Sequence, residues 1–219
     1  MVGYEVIPEL ISRMECESLV QELEGMSCGR AGTRHLMSSA AVRDFARDKR
    51  LVSLASKALE SPGAIPFRAT LFKKTAKANW LSSWHQDTAL PLSDRFDDPE
   101  WGPWSQKGGR WYAHAPEWAL KQVVALRVHL DSSTRENGPL RVIPGSHHKL
   151  MTDEEVETYV AWQAAGAVEC LSPRGGIIVM RPLLIHASSK VENDLPRRVL
   201  HIEYAKTLAL RQGIDLAIA

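Results

Sequence analysis

The pattern of apolar and polar positions divides the chain into a helical beginning and a β-rich remainder. Residues 4–7, YEVI, end at Pro8 and predict a short strand. Residues 12–15, SRME, have the capping-box sequence that satisfies free N–H groups at a helix start, and this helix should reach about Gly25. A second helical pattern covers residues 39–60 and is interrupted at residues 48–50. We expect the region of about residues 9–60 to be helical scaffold.

From Phe67 onward the apolar residues occur in short β-prone runs separated by turn residues. The runs are FRATLFKK, QVVALRVHL, LRVIP, GGIIVMR and RRVLHIEYA. Several short strands of this kind predict a mainly β fold with flanking helices, built as a pair of antiparallel sheets or a barrel.

Residues 88–119, between the first two of these runs, are rich in Pro, Gly and Trp and predict a long loop. We interpret this loop as a lid whose aromatic side chains cover a cavity and exclude water. The alternative is that the aromatics only anchor the segment to the outside of the barrel. The side chains concerned are Trp101, Trp104, Trp111, Tyr112 and Trp118.

Composition narrows the class of protein. The chain has 219 residues, 44% of them hydrophobic and 24% charged, which predicts one globular domain over residues 1–219. The net charge is +1 and no long basic run occurs, so we expect a small-molecule partner and neither nucleic acid nor membrane. Three widely spaced cysteines, with no export signal and no long apolar span, predict a cytoplasmic protein. The oligomeric state is left open.

The candidate chemistry begins in WHQDTALPL, residues 84–92. His85 and Asp87 are two positions apart, so on an extended segment their side chains project to the same side and can share one ion. A third ligand, His186, follows a β-prone run in GGIIVMRPLLIHASS. Two imidazoles and one carboxylate form the facial triad of mononuclear non-haem Fe(II) oxygenases, which leaves positions open for a co-substrate and O₂. The same three ligands could also hold zinc.

Arg197 lies eleven residues after His186, at the start of the last strand pattern. Strand alternation places Arg197 on one face and Arg198 on the other, so one of the two arginines faces inward. A buried guanidinium requires an anionic partner and fits a carboxylate bidentately. The carboxylate of 2-oxoglutarate would meet this requirement.

These features together resemble the phytanoyl-CoA dioxygenase family of Fe(II)- and 2-oxoglutarate-dependent oxygenases. The resemblance is carried by HQD, by ENGPLRVIPGSH at residues 136–147, by RPLLIHASS, and by the arginine eleven residues beyond the histidine. It extends from GYEVIPELISRMECESLVQEL to HIEYA and thus covers most of the chain. It implies a double-stranded β-helix, a cupin-like jelly roll with helices packed outside and iron in its mouth.

The resemblance also implies a role for individual residues. His85, Asp87 and His186 would bind iron, while Arg197 would hold the distal carboxylate of 2-oxoglutarate with support from Ser188. Arg198 would take that role if the strand parity were shifted by one residue. The implied reaction uses O₂ to hydroxylate an unactivated C–H bond of a small molecule, with succinate and CO₂ as co-products. Nothing identifies a coenzyme A site, so phytanoyl-CoA is not the expected substrate.

Arg127, inside the apolar run VVALRVHL, needs a partner for its charge. It forms either a buried ion pair with an acid of the scaffold or a second anion clamp for substrate or 2-oxoglutarate. Arg34 and Arg181 are weaker candidates for the same clamp. The histidines at positions 129 and 201 are interpreted as satisfied core or cavity residues, and those at positions 147 and 148 as solvated or packing residues of a turn.

Two other classes of function fit parts of the pattern. One is a metal-binding jelly roll without redox turnover, such as a zinc hydrolase, an isomerase or a metabolite-binding module, but such proteins do not need Arg197. The other uses the same machinery for desaturation, epimerisation or halogenation. Asp87 argues against halogenation because it occupies the position that chloride would need.

Overall fold

The computed structural model describes residues 2–24, 32–75, 79–192 and 195–219. Within these ranges the helices are α1 Arg13–Glu24, α2 Ala40–Ala46, α3 Lys49–Leu59, α4 Glu117–Leu120 and α5 Asp153–Gln163. The strands are β1 Tyr4–Ile7, β2 Ile65–Lys74, β3 Ser82–His85, β4 Ala89–Leu92, β5 Trp104–Lys107, β6 Arg110–His114, β7 Val123–His129, β8 Leu140–Val142, β9 Val168–Cys170, β10 Ile177–Met180, β11 His186–Ser188, β12 Arg197–Ala205, β13 Ala209–Arg211 and β14 Ile214–Asp215. Short 3₁₀ turns cover Leu36–Ser38, Arg135–Asn137, Ser146–His148 and Ala164–Gly166.

The first helices begin at the capping residues that the sequence predicts. The backbone N–H of Ser12 donates to Glu15 Oε2 at 2.8 Å, and the N–H of Glu15 donates to Ser12 Oγ at 3.3 Å, which completes the capping box of α1. The interruption between α2 and α3 is a second cap, because Asp48 Oδ1 accepts from the N–H of Arg50 at 2.8 Å. The predicted break in the helical pattern is therefore confirmed.

The larger sheet has the strand order β1-β10-β7-β12-β2, and every neighbouring pair is antiparallel. Alternate residues of its central strands, such as Leu126 and Ile202, pack against Cys16, Val42 and Leu51 of the three helices. The intervening residues face the opposite way, into the molecule. Because the helices cover one face with apolar side chains, the polar residues of these strands are gathered on the other face.

The smaller sheet, β3-β11-β8-β9, lies over that inner face. Residues of both sheets share one apolar cluster, to which Ile178 and Met180 contribute from the larger sheet and Leu140 and Val142 from the smaller. Two facing antiparallel sheets with helices packed outside form the double-stranded β-helix, or jelly roll, that the family resemblance implies.

Residues 88–119 differ from the prediction of a long irregular loop. They form a three-stranded antiparallel sheet in the order β4-β6-β5, followed by α4. Trp101, Trp104 and Trp118 belong to an apolar cluster with Phe67 and Leu90, which fixes the segment to the end of the barrel. The expectation of a loop was wrong because each strand has only four or five residues, too few for a clear period between the turns.

Two further expectations concern the chain as a whole. In the ranges that the structure describes, no helix has the length and apolar character needed to cross a bilayer. Cys16 and Cys170 are buried free thiols. Cys28 lies outside the described residues, as does Gly25, the predicted end of the first helix.

Candidate active site

His85, Asp87 and His186 are brought together where β3 meets β11. His85 ends β3 and His186 begins β11, and the two are directly paired in the antiparallel register. Asp87 follows two residues after β3 and is fixed by its N–H, which donates to the carbonyl of Pro182 at 2.9 Å. The ligand atoms of all three side chains lie within 4.8 Å of one another. Asp87 Oδ1 is 3.7 Å from His85 Nε2, and Asp87 Oδ2 is 3.5 Å from His186 Nε2.

The backbone orients both imidazoles of this group. Nδ1 of His85 lies 2.7 Å from the carbonyl of Ser83, and Nδ1 of His186 lies 2.9 Å from the carbonyl of Leu184. Since a carbonyl only accepts, each Nδ1 carries the proton and each Nε2 keeps a free lone pair. Burial lowers the pKa of His186 to about 4, so this ring is neutral at pH 7. The three groups therefore fit a divalent cation.

The Asp87 carboxyl is kept ionised by its surroundings. Burial alone would raise its pKa, but the imidazoles of His186 and His85 outweigh that effect and hold the pKa well below its usual range. An ionised carboxylate beside the neutral imidazole of His186 fits the protonation state that metal binding requires.

A cavity of about 90 Å³, the inner cavity, lies beside these three residues between the two sheets. Arg197 is 2% exposed and faces this cavity, where its Nη2 donates to Ser188 Oγ at 3.2 Å. Its Nε and Nη1 have no hydrogen-bond partner among the described residues. Burial, together with the charge of Arg127, lowers the pKa of Arg197 to about 9. A buried cation with two unpaired donors is a site for an anion.

Arg198 lies on the opposite face of β12, as strand alternation predicts. Its Nε and Nη2 donate to the two carboxylate oxygens of Asp131 at 2.7 and 2.8 Å. The charge of Arg198 is therefore balanced by an acid of the scaffold, whereas that of Arg197 is not.

Lys74 is a polar residue of the inner cavity that the sequence analysis did not identify. It pairs with Arg197 in the register of β2 and β12 and is 1% exposed. Its Nζ donates to Ser188 Oγ at 2.7 Å, and that hydroxyl in turn donates to the carbonyl of Gly138 at 3.0 Å. Burial, reinforced by Arg197 and Arg127, lowers the pKa of Lys74 to about 7. Phe72, which also lines the inner cavity, lies two residues before Lys74 in β2, so both side chains project to the same face of the strand. Knowledge of the register between β2 and β12 would therefore have identified Lys74 as a residue of the cavity.

Gly138, in the ENGPLRVIPGSH motif, supports this arrangement from the backbone. It adopts a left-handed conformation with φ +69°, and a Cβ added there would lie 2.3 Å from the carbonyl oxygen of Ser189. Only glycine allows the turn to approach β11 this closely, and the same turn provides the carbonyl that accepts from Ser188. The role of Gly138 in this motif is therefore structural.

Arg127 also lines the inner cavity, and no described acid lies within ion-pair distance of it. Its Nη1 donates to Nδ1 of His201 at 3.2 Å, and its guanidinium lies 5.3 Å from the ring centre of Phe72. Its Nε has no partner among the described residues. Of the two alternatives for Arg127, the ion pair with an acid of the scaffold is not formed among the described residues.

The remaining histidines differ in their surroundings. His129 is fully buried, and its two ring nitrogens lack partners in the described part of the chain, so it is a core residue but not a satisfied one. Burial, with the charges of Arg127 and Arg197, lowers the pKa of His129 to about 3. The rings of His147 and His148 contact each other at a tilt of 37° in a turn, beside a separate surface pocket that Arg181 also lines. Arg181 is therefore not part of the candidate site.

A second cavity of about 290 Å³, the outer cavity, shares Asp87 and Phe72 with the inner one. Tyr112 lines it, whereas the four tryptophans predicted to cover a cavity do not line either one. Arg68 lines the outer cavity and forms a buried ion pair with Glu203. Its Nη1 also donates to the carbonyl of Ala89 at 2.8 Å. The candidate metal site thus lies between a small cationic cavity and a larger one.

The comparisons with known proteins agree with this geometry. Residues 2–199 match the family model described as Phytanoyl-CoA dioxygenase (PhyH). An L-proline trans-4-hydroxylase from Streptomyces griseoviridis is 27% identical, and the match covers 92% of this chain and 82% of the relative.

Two solved structures show the same fold. The first is SnoN, a non-haem alpha-ketoglutarate-dependent epimerase of nogalamycin biosynthesis. It has a TM-score of 0.72 at 18% identity, covering 93% of this chain and 76% of that one. The second, HygX from Streptomyces hygroscopicus with nickel and 2-oxoglutarate bound, has a TM-score of 0.66 at 18% identity over 93% and 82% of the two chains. With the family model matching nearly its full length, the chain belongs to the phytanoyl-CoA dioxygenase family.

Proposed function

We propose that this protein is an Fe(II)- and 2-oxoglutarate-dependent oxygenase that hydroxylates an unactivated C–H bond of a small molecule. The observation that carries the proposal is the combination of two features across one cavity. A His-Asp-His group able to hold a metal lies at one side, and the unpaired donors of the buried Arg197 face the same space.

His85, Asp87 and His186 would hold the iron through Nε2, a carboxylate oxygen and Nε2. When bound, iron with 2-oxoglutarate supplies O₂ activation coupled to decarboxylation of the co-substrate, which yields succinate and CO₂. The backbone carbonyls at Ser83 and Leu184 keep both imidazoles in the metal-binding tautomer. Ser83 and Leu184 thus fix the orientation of the two imidazole ligands.

The inner cavity would bind 2-oxoglutarate, whose two carboxylates need cationic partners or a metal. Arg197 offers Nε and Nη1 to the distal carboxylate, and Ser188 and Lys74 lie on the same side of that cavity. Arg127, which also faces the cavity, adds a further positive charge. HygX, which shares the fold, has been solved with 2-oxoglutarate, and this likeness supports the assignment.

The outer cavity would take the substrate, because it reaches Asp87 from the other side. Hydroxylation is supported by the relative named as an L-proline trans-4-hydroxylase. The structural likeness to an epimerase makes the nature of the product a necessary part of any test.

The proposal is tested by anaerobic addition of Fe(II) and 2-oxoglutarate to the purified protein. We expect one metal per chain and a visible metal-to-ligand charge-transfer band that requires both additions. His186→Ala should abolish metal binding and the band, whereas His147→Ala, a histidine of the separate surface pocket, should change neither. Metal binding without a 2-oxoglutarate-dependent band would refute the oxygenase assignment in favour of a non-redox metal protein. Mass spectrometry of turnover products should then show one added oxygen.

A further inference from the structure

The outer cavity has an unbalanced positive charge. Three cations line it, Arg34, Arg68 and Lys107. Two acids lie near them, but Glu203 is paired with Arg68, and Asp87 belongs to the candidate metal site. Within the described residues, neither Arg34 nor Lys107 has an acid within ion-pair distance. The cavity therefore has two cations without a protein counter-charge.

Arg34 is held at the cavity by backbone pairing. The N–H and carbonyl of Thr33 form hydrogen bonds of 2.9 Å to Leu71 of β2. Gly32, with φ +128°, allows this approach, since a Cβ there would lie 2.2 Å from the carbonyl oxygen of Leu71. The segment is thus fixed along β2, which places Arg34 in the cavity wall.

Lys107 is positioned by the turn between β5 and β6. Its Nζ lies 5.0 Å from the ring centre of Tyr112. The hydroxyl of Tyr112 is 3.1 Å from His35 Nε2, and a Cβ on Gly108 would contact the His35 ring at 2.6 Å. The turn and the segment bearing Arg34 are therefore packed against each other, so that both cations belong to one wall.

The two cations and Arg68 are close enough to affect one another. Burial lowers the pKa of Lys107, and the charges of Arg34 and Arg68 lower it further. Arg34 is exposed to solvent, whereas Lys107 is half-buried. Gathering these like charges around the half-buried ammonium of Lys107 costs free energy that an anionic ligand would offset. Thr70 and Thr88, which lie in the wall toward Asp87, have no formal charge.

We propose that the outer cavity recognises an anionic group of the substrate, a carboxylate or a phosphate, between Arg34 and Lys107. The uncharged remainder of the molecule then extends past Thr88 toward Asp87. Molecules with a positive charge in place of the anion are rejected, because no described acid of this wall is free to receive them. The inference rests on the proposed function only in taking the bound molecule to be the substrate.

The test uses four probes that share one ring and differ in charge. They are cyclopentanecarboxylate, cyclopentyl phosphate, cyclopentanecarboxamide and cyclopentylamine. Their dissociation constants are measured by anaerobic calorimetry on the protein with Fe(II) and saturating 2-oxoglutarate, which occupies the inner cavity and prevents binding at Arg197. We expect at least one anion to bind about 10-fold or more tighter than the amide, and the amine not to bind. The tighter of the two anions identifies the group recognised.

Three variants connect this preference to the two cations. Arg34→Gln and Lys107→Gln should each weaken anion binding by about 10-fold, the equivalent of one charged hydrogen bond. Lys107→Glu should abolish anion binding and allow the amine to bind. Lys57→Gln, an exposed lysine on α3, is the matched control and should have no effect.

The outcomes separate this inference from the proposed function. Equal affinity for the anions and the amide, no binding by any probe, or unchanged anion affinity in both glutamine variants would overturn the inference. The charge-transfer band is recorded on the same samples. If the band forms but the anion preference is absent, only the inference fails. If the band is absent, the proposed function fails, and the anion preference is still measured on the protein without iron.

Discussion

Replacement of Arg197 by methionine should separate co-substrate binding from the stability of the fold. The guanidinium is 2% exposed, has two donors without described partners, and lies near the cations Arg127 and Lys74. In the absence of 2-oxoglutarate this charge is therefore desolvated and unpaired, which opposes folding. Methionine fills much of the same space without the charge.

Arg197→Met should weaken the binding of 2-oxoglutarate but should not destabilise the ligand-free protein. Loss of a charged partner for a carboxylate in a desolvated pocket costs about 2–5 kcal/mol, or roughly 30-fold to several thousand-fold in the affinity for 2-oxoglutarate. The melting temperature of the ligand-free protein should stay the same or rise, because an unpaired buried charge is removed. Metal affinity should be almost unchanged, since Arg197 contacts no metal ligand that the structure describes.

Arg198→Met is the matched control, because it removes the neighbouring cation from the other face of the strand. That guanidinium donates two hydrogen bonds to Asp131, so its loss should cost about 2 kcal/mol of stability, which corresponds to roughly 4–8 °C in melting temperature for a chain of this size. Its affinity for 2-oxoglutarate should not change. The assay is titration of the anaerobic charge-transfer band, with thermal unfolding of both variants.

The opposite pattern would refute the reasoning. If Arg198→Met lost 2-oxoglutarate and Arg197→Met did not, the assignment of the two faces of β12 to cavity and scaffold would be wrong. If neither variant lost it, the inner cavity would not be the co-substrate site.

Three further predictions concern other parts of the site. The ammonium of Lys74, whose pKa burial lowers to about 7, is present below that pH. The affinity for 2-oxoglutarate should therefore fall as the pH rises above about 7. If Lys74→Met shows the same fall in affinity with pH, the assignment to Lys74 is wrong. Product analysis with chloride present should show added oxygen only, since Asp87 occupies the ligand position, and a chlorinated product would overturn that argument. If residues 88–119 act as a lid, limited proteolysis should cut them readily in the free protein and slowly with metal, 2-oxoglutarate and a substrate analogue bound. Equal resistance in both states, with Trp104→Ala leaving turnover unchanged, would identify them as fixed scaffold.

Local patterns in the sequence predict the elements whose causes are local. The capping residues Ser12 and Asp48 start helices as expected, and strand alternation correctly places Arg197 and Arg198 on opposite faces of β12. The HxD pair and His186 were identifiable because a metal needs those ligand types. The geometry of these three residues agrees with this prediction.

The features that the sequence did not predict depend on long-range pairing. Lys74 reaches the inner cavity only through the register of β2 with a strand more than a hundred residues later. The cations of the outer cavity come from three separate segments, at residues 34, 68 and 107. Arg34 was a candidate from the sequence, but no local pattern relates it to the other two. The short strands of residues 88–119 pair with one another through turns that hide their alternation.

The direct pairing of His85 with His186 makes a bound metal a cross-link between strands. β3 is an edge of the smaller sheet, and its register with β11 is irregular between the two pairs His186–His85 and Ser188–Ser82. An ion bound to both histidines joins the edge strand to its neighbour more firmly than these few backbone contacts do. Removal of the metal should therefore loosen the edge of the barrel where residues 88–119 begin, so that metal occupancy and order around the outer cavity change together.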